Sequence, residues 1–222
     1  LVSIMKKQIE NLITKLLSKI PLFVSLKLRF NLWEKQYRKV ISNEHKHIRL
    51  PGFRKQFEIA PPKLKEIYIA LELQTPSKHS HGIDLSPAMT LRDTYNMSAV
   101  LNKFQHIVIL GDPGAGKTTL LEFLVLLSAD KKKHSSLSRL LPLFIPLRNC
   151  LLNGRSLIDE VTDPTTGILP ADLLAKYPKD YFEFNLENSQ CLILFDGMDE
   201  VLDEARTVAA SRLIETCASL YP

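Results

Sequence analysis

Apolar residues return every three or four positions at Ile9, Leu12, Ile13, Leu16, Leu17 and Ile20, while Lys6, Lys7, Lys15 and Lys19 fall on the other face. This spacing predicts an amphipathic basic helix that Pro21 stops. A more apolar stretch follows over residues 22–30. The combined segment is too interrupted for a membrane span, which takes roughly 20 mostly apolar residues. It also lacks the plan of a secretory leader, with a short charged start, an apolar centre and a small-residue cleavage site. Two readings stay open: a helix packed on a neighbouring element, or a helix lying in a membrane interface. Failure of this peptide to bind anionic vesicles at low salt removes the second. Residues 31–43 repeat the helical spacing, with Trp33, Tyr37 and Val40/Ile41 on one face and Lys35, Arg38 and Lys39 opposite.

Further along, the pattern changes. Continuous apolar runs at residues 107–110, 143–147 and 191–195 read as strands, the last as a parallel strand buried on both faces. Helical patterns surround them at residues 98–105, from the glycine-rich turn after residue 110 to about residue 129, at 171–186 and at 202–220. The last has its apolar face at Val208, Leu213/Ile214 and Cys217. Pro51-Gly52 and Asn188-Ser189 mark turns, and Pro61-Pro62 marks a boundary. Residues 75–87, with Pro76, His79, His81 and Gly82, read as a loop; Pro164, Gly167 and Pro170 punctuate a surface region. The chain therefore divides into a basic helical segment, residues 1–63, and an α/β module, residues 64–222. No internal repeat or long low-complexity segment is visible.

The first predicted strand runs into Gly111-Asp112-Pro113-Gly114-Ala115-Gly116-Lys117-Thr118, followed by Thr119 and a helical pattern. Glycines between strand and helix let the backbone wrap close to phosphate oxygens, so that successive N–H groups and the helix N-terminus point at the anion. The full G-x-x-x-x-G-K-[ST] form adds Lys117 for the outer phosphates and the Thr118 hydroxyl for a magnesium ion. Glycine-rich turns also open helices that bind nothing; the Lys-Thr pair at its proper offset and the strand in front favour the phosphate loop. The run at residues 191–195 ends in Asp196-Gly197-Met198-Asp199-Glu200. Asp196 stands at the C-terminal end of its strand, where ligands collect in open α/β sheets, and is placed to bind magnesium directly or through water. Gly197 gives the backbone room to turn away. Asp199 and Glu200 are candidates to orient or deprotonate an attacking water. The alternative is that they open the next helix, where acids favour the positive dipole end.

Composition changes this picture in two places. The 222 residues, 45% hydrophobic and 24% charged, are ordinary for a soluble globular protein of one or two domains. The net charge of +5, however, conceals a split. Residues 1–66 hold 15 Lys/Arg against 5 Asp/Glu, a balance of +10, and residues 67–222 hold 14 against 19, a balance of −5. Such asymmetry suits a nucleic-acid or anionic-membrane contact, or the packing of one part on the other. The tract Lys131-Lys132-Lys133-His134-Ser135-Ser136 is either a solvated connection or a nucleic-acid patch. Cys150, Cys191 and Cys217 are scattered, without metal-ligand spacing, and read as buried reduced thiols of a cytosolic protein. His45/His47 and His79/His81 lie in polar surroundings without a third ligand and read as solvent-facing.

Residues 111–120 (GDPGAGKTTL) and 192–201 (LILFDGMDEV) together resemble the NACHT family of signal-transduction NTPases, within the STAND class of P-loop NTPases. The family places a small residue just after the metal-binding aspartate and another acid two positions on, matched by Asp196, Gly197 and Asp199. Typical AAA+ ATPases put glutamate directly after that aspartate. Residues 141–148 are similar to the family's strand between the two motifs, and residues 64–71 to the stretch that leads into many bacterial members. The resemblance implies a three-layer P-loop core with a parallel sheet, in strand order 5-1-4-3-2. It implies ATP/ADP and Mg2+ as cofactors, with residues 111–119 shaping the phosphate cradle, Lys117 on the outer phosphates, Thr118 and Asp196 on the ion, and Asp199 and Glu200 on the water. It implies a cytoplasmic switch that is closed with ADP, oligomerises with like subunits in the ATP state and hydrolyses slowly, plausibly in bacterial defence signalling under an unknown trigger and effector.

In that strand order a fourth strand lies between the strands ending at Leu110 and Asp196, and a phosphate-sensing arginine follows it. Both would fall beyond Pro222, so the expectation is a stretch of a longer protein, unstable alone. The lack of an Asn-Lys-x-Asp motif argues against GTP. One rival is an AAA+-like, DNA-associated ATPase, which the basic segment favours and Gly197 opposes; tight, salt-sensitive DNA binding with DNA-stimulated turnover would distinguish it. Another is a non-hydrolysing nucleotide-dependent scaffold, or a module anchored to membrane through residues 1–30.

Overall fold

The computed structural model describes residues 22–47, 62–68, 73–74, 94–95, 97–131, 136–176, 180–201 and 203–221. Its elements, in chain order, are α1 (Leu22–His45), α2 (Leu64–Ile67), β1 (Leu73–Gln74), β2 (Thr94–Tyr95), α3 (Met97–Lys103), α4 (Lys117–Ala129), β3 (Leu141–Pro146), α5 (Leu157–Thr162), α6 (Ala171–Leu174), α7 (Tyr181–Glu187), β4 (Cys191–Asp196) and α8 (Glu204–Leu220). The helix expected over residues 9–20, the turn at Pro51-Gly52, the loop at 75–87 with its two histidines, and Lys132 to Ser135 lie outside the described residues.

The architecture is α/β. β3 and β4 pair in parallel from Leu141↔Cys191 to Pro146↔Asp196. A parallel pair needs a long crossover, and α5, α6 and α7 supply it. β1 and β2 form a separate antiparallel pair. Helix α4 carries Leu120, Leu124 and Val125 into the same core as Leu143 and Ile145 of β3 and Leu194 of β4.

Helix α1 joins this core along one stripe. Trp33, Tyr37 and Ile41 stand four residues apart, one above the other, and all three are buried. Trp33 stacks on Tyr37 with ring centroids 5.2 Å apart and meets Phe182 edge-on at 5.5 Å. The polar tips find partners: Trp33 Nε1 donates to the Leu173 carbonyl at 3.2 Å, and the Tyr37 hydroxyl donates to the Pro142 carbonyl at 2.5 Å. Burial pushes the Tyr37 phenol well above its usual range. Arg38 lies on the packed side of the helix, not the solvated one. Its Nη1 donates to the Ser128 carbonyl at 2.6 Å and its Nε to Glu34 at 2.7 Å.

Several expectations need correction. Residues 107–110 form no ladder with any described strand, and Val108 and Leu110 are 84% and 75% exposed. A strand exists only with a partner for its backbone groups. Among the described residues β3 and β4 form a two-stranded sheet, so neither has a second partner there. The helical pattern over 171–186 resolves into two short helices, α6 and α7, with Asp180 in the left-handed region (φ 66°) just before α7. The stretch 164–170 is not all surface, since Thr166, Ile168 and Leu169 are buried. In α8 the buried stripe is Ala210, Leu213 and Cys217, and Val208 is exposed because it lies about 200° around the helix from Ala210.

His45 is buried rather than solvent-facing. Its Nδ1 lies 3.3 Å from Glu122 Oε1 on α4, and its ring meets Phe144 of β3 edge-on at 4.8 Å. The pattern around His45 is polar, but the last turn of α1 packs against α4 and β3. Cys150 and Cys217 are buried and Cys191 is partly so, and all three are free thiols. Burial pushes Cys150 and Cys191 up to about 12 and Cys217 to about 11, which keeps them protonated and weakly reactive.

Candidate functional site

The glycine-rich turn leads directly into α4. Gly114 (φ 82°) and Gly116 (φ 84°) take the left-handed conformation that a side chain disfavours. The amide of Ala115 donates to the Asp112 carbonyl at 3.1 Å, which closes the turn, and the amide of Leu120 donates to Gly116 at 2.8 Å, which starts the helix. Residues 111–115 are exposed. A Cβ placed on Gly114 would meet nothing within 4 Å, so the mouth of the loop is open.

Lys117 reaches back across that mouth. Its Nζ donates to the carbonyls of Gly111 at 2.6 Å and Asp112 at 3.2 Å, and it lies 3.7 Å from Asp199 Oδ2. One residue on, the Thr118 hydroxyl donates to Asp196 Oδ1 at 3.0 Å. The first turn of α4 and the end of β4 thus bring the two expected cation ligands into contact across 78 residues of sequence. Burial raises the Asp196 carboxyl above its ordinary value, an effect that the Thr118 hydrogen bond opposes and the nearby Glu200 charge reinforces. A carboxylate in that position gains from a cation.

Asp199 and Glu200 do not open the next helix. They belong to a single 3-10 turn, Met198–Glu200, that follows Gly197 in the left-handed region (φ 79°). Helix α8 begins later and is capped by Asp203, whose carboxylate accepts the Arg206 amide at 3.0 Å. A Cβ on Gly197 would come within 3.4 Å of the Glu200 carboxylate, which therefore lies over the Gly197 backbone.

Three neighbours of this site carry no signal in residue spacing. Arg148 follows β3, and its Nη1 donates to Glu200 Oε2 at 3.0 Å. Arg206 Nη2 donates to the carbonyls of Arg148 at 3.2 Å and Cys150 at 2.9 Å. Glu160, fully buried, accepts the amides of Leu151 and Leu152, each at 2.8 Å. Strand register and helix packing bring Arg148 and Arg206 together from distant parts of the chain, while Glu160 reaches back only eight and nine residues to support the turn that follows Arg148.

The donor set fits a nucleotide with magnesium. Exposed loop amides and an ammonium suit phosphate, and a hydroxyl touching a raised carboxylate suits a hard cation with oxygen ligands. Among the described residues no three His, Cys, Asp or Glu side chains gather as a self-contained metal site, so a cation here would share its ligands with phosphate and water. No described helix is long and apolar enough to cross a membrane.

The family model described as NACHT domain matches residues 105–218. That span takes in the glycine-rich loop, β3, β4 and the turn carrying Asp199 and Glu200. No curated protein and no solved structure matches the chain.

Proposed function

The chain belongs to the NACHT family of P-loop NTPases, and on that footing we propose that it is an ATP-dependent signalling switch that hydrolyses its nucleotide slowly. The contact that carries this reading is Thr118 Oγ1 to Asp196 Oδ1 at 3.0 Å, beside Lys117 at the loop mouth. The amides of residues 111–119 would hold the phosphates, and Lys117 would exchange the Gly111 and Asp112 carbonyls for outer phosphate oxygens. Thr118 and Asp196 would hold magnesium, which when bound neutralises charge on the phosphate oxygens. Asp199 and Glu200 would orient the attacking water and take its proton. Each acid already sits beside a cation, Asp199 beside Lys117 at 3.7 Å and Glu200 beside Arg148 at 3.0 Å.

In this reading the three-layer sheet of the family surrounds the site. The ATP form assembles with like subunits, and the protein works in the cytoplasm in defence signalling. The decisive experiment denatures the purified full-length protein and identifies the released nucleotide by chromatography, beside Lys117→Ala. Stoichiometric ADP in the parent and none in the variant is the expected result. An empty parent that turns over ATP steadily would replace the switch with a working ATPase, and a parent with neither nucleotide nor turnover would end the nucleotide reading.

A further inference from the structure

We propose that Arg148 is a phosphate-responsive positioning residue, whose guanidinium holds the Glu200 carboxylate over Gly197 and exchanges it for the terminal phosphate of a bound triphosphate. The inference rests on the nucleotide reading above. Because Pro146 pairs with Asp196, the turns after β3 and β4 leave the sheet at the same level. The Leu147–Asn149 turn then stands beside the Met198–Glu200 turn, and Arg148 meets Glu200 at 3.0 Å.

The backbone under Arg148 is held from two sides. Arg206 of α8 takes its carbonyl and that of Cys150, and Glu160 of α5 takes the next two amides, Leu151 and Leu152. The side chain is free of such restraint. The Arg148 and Glu200 side chains are 60% and 50% exposed, and an exposed single ion pair is weak enough to exchange at little cost. A phosphoryl group offers a guanidinium two acceptor oxygens and more charge than one carboxylate. Arg148 stands two residues past Pro146, the register partner of Asp196, so the guanidinium leaves the sheet at the same edge as the expected cation ligand. The two acids divide between two cations, so exchange at Arg148 frees Glu200 while Asp199 stays with Lys117 until the phosphates draw that residue too. Arg148 would therefore distinguish triphosphate from diphosphate.

The test is a double-mutant cycle on the full-length protein with magnesium. It reads equilibrium affinities for fluorescent ADP and for a non-hydrolysable ATP analogue. Arg148→Ala should weaken the analogue about tenfold and change ADP by less than about twofold, the loss of one charge-assisted contact. Glu200→Gln should tighten the analogue about threefold when Arg148 is present and leave it unchanged in the double variant. Arg148→Lys should recover part of the selectivity, since it keeps the charge but loses the two-pronged geometry. Equal weakening of both nucleotides by Arg148→Ala, or a Glu200→Gln effect that persists without Arg148, would overturn the exchange while leaving the nucleotide site standing. A parent that binds neither nucleotide overturns both.

Discussion

Glu160 shows how much one side chain can carry. Its carboxylate is fully buried and accepts two consecutive amides, at Leu151 and Leu152, where the chain turns with Leu152 in the left-handed region (φ 56°). Glu160→Ala leaves those donors without an acceptor and should cost about 2–3 kcal/mol. The urea midpoint should fall at unchanged slope; a loss under about 1 kcal/mol would mean that water replaces the carboxylate without difficulty. Nothing along the sequence marks Glu160, because an acid between apolar helical positions looks like an ordinary surface residue. The glycines were legible for the opposite reason. Gly114 and Gly116 belong to a motif whose backbone requires positive φ, and they adopt it.

At the scale of elements, α5 is held at both ends by short-range contacts. Ser156 and Asp159 form a capping box at its start, each side chain accepting the other's amide. At its end Asp163 accepts the Thr165 amide at 2.7 Å and hydroxyl at 2.5 Å, and Arg155 Nη1 donates to it at 2.8 Å. The Thr165 bonds, helped by Arg155, hold the Asp163 carboxyl down at about 2. A carboxyl depressed in the folded state stabilises above its ordinary value of 3.8, and that contribution is lost as pH falls toward 2. The melting temperature of Asp163→Asn should thus trail the parent most above pH 4, with the gap closing toward pH 2. A gap that ignores pH would show that shape, not charge, matters there. Residues 107–110 teach the reverse lesson. Their apolar run has strand composition, but composition cannot supply the neighbouring strand that makes a ladder.

Across the whole molecule, the basic and acidic halves are packed together. Helix α1 from the basic segment shares its core with α4, β3 and α7 through Trp33, Tyr37 and Ile41. Polar contacts cross the same seam: His45 with Glu122, Lys65 with Asp130, Lys131 with Glu34. Of these, Lys65 with Asp130 sets a cation of the basic segment against an acid of the other part, whereas Lys131 with Glu34 runs the opposite way. Trp33→Ala removes an indole stacked on Tyr37 and bonded to Leu173, and should cost about 3–5 kcal/mol. If α1 belongs to one cooperative unit, the loss should appear as a single transition at lower temperature by both circular dichroism and tryptophan-independent probes. Separate transitions would mean that α1 docks on a module that folds without it.

By itself the sequence determined the glycine-rich loop before a helix, the acid at the end of β4, the α/β class and the family. Each depends on chemistry concentrated within about ten residues, where backbone geometry and side-chain type are coupled directly. Only the tertiary structure decided that Thr118 touches Asp196, that Arg148 meets Glu200, and that α1 with buried Arg38 and His45 closes over the P-loop helix. Those relations come from strand register and helix packing between residues far apart along the chain, and no local pattern encodes which distant neighbour a side chain will meet.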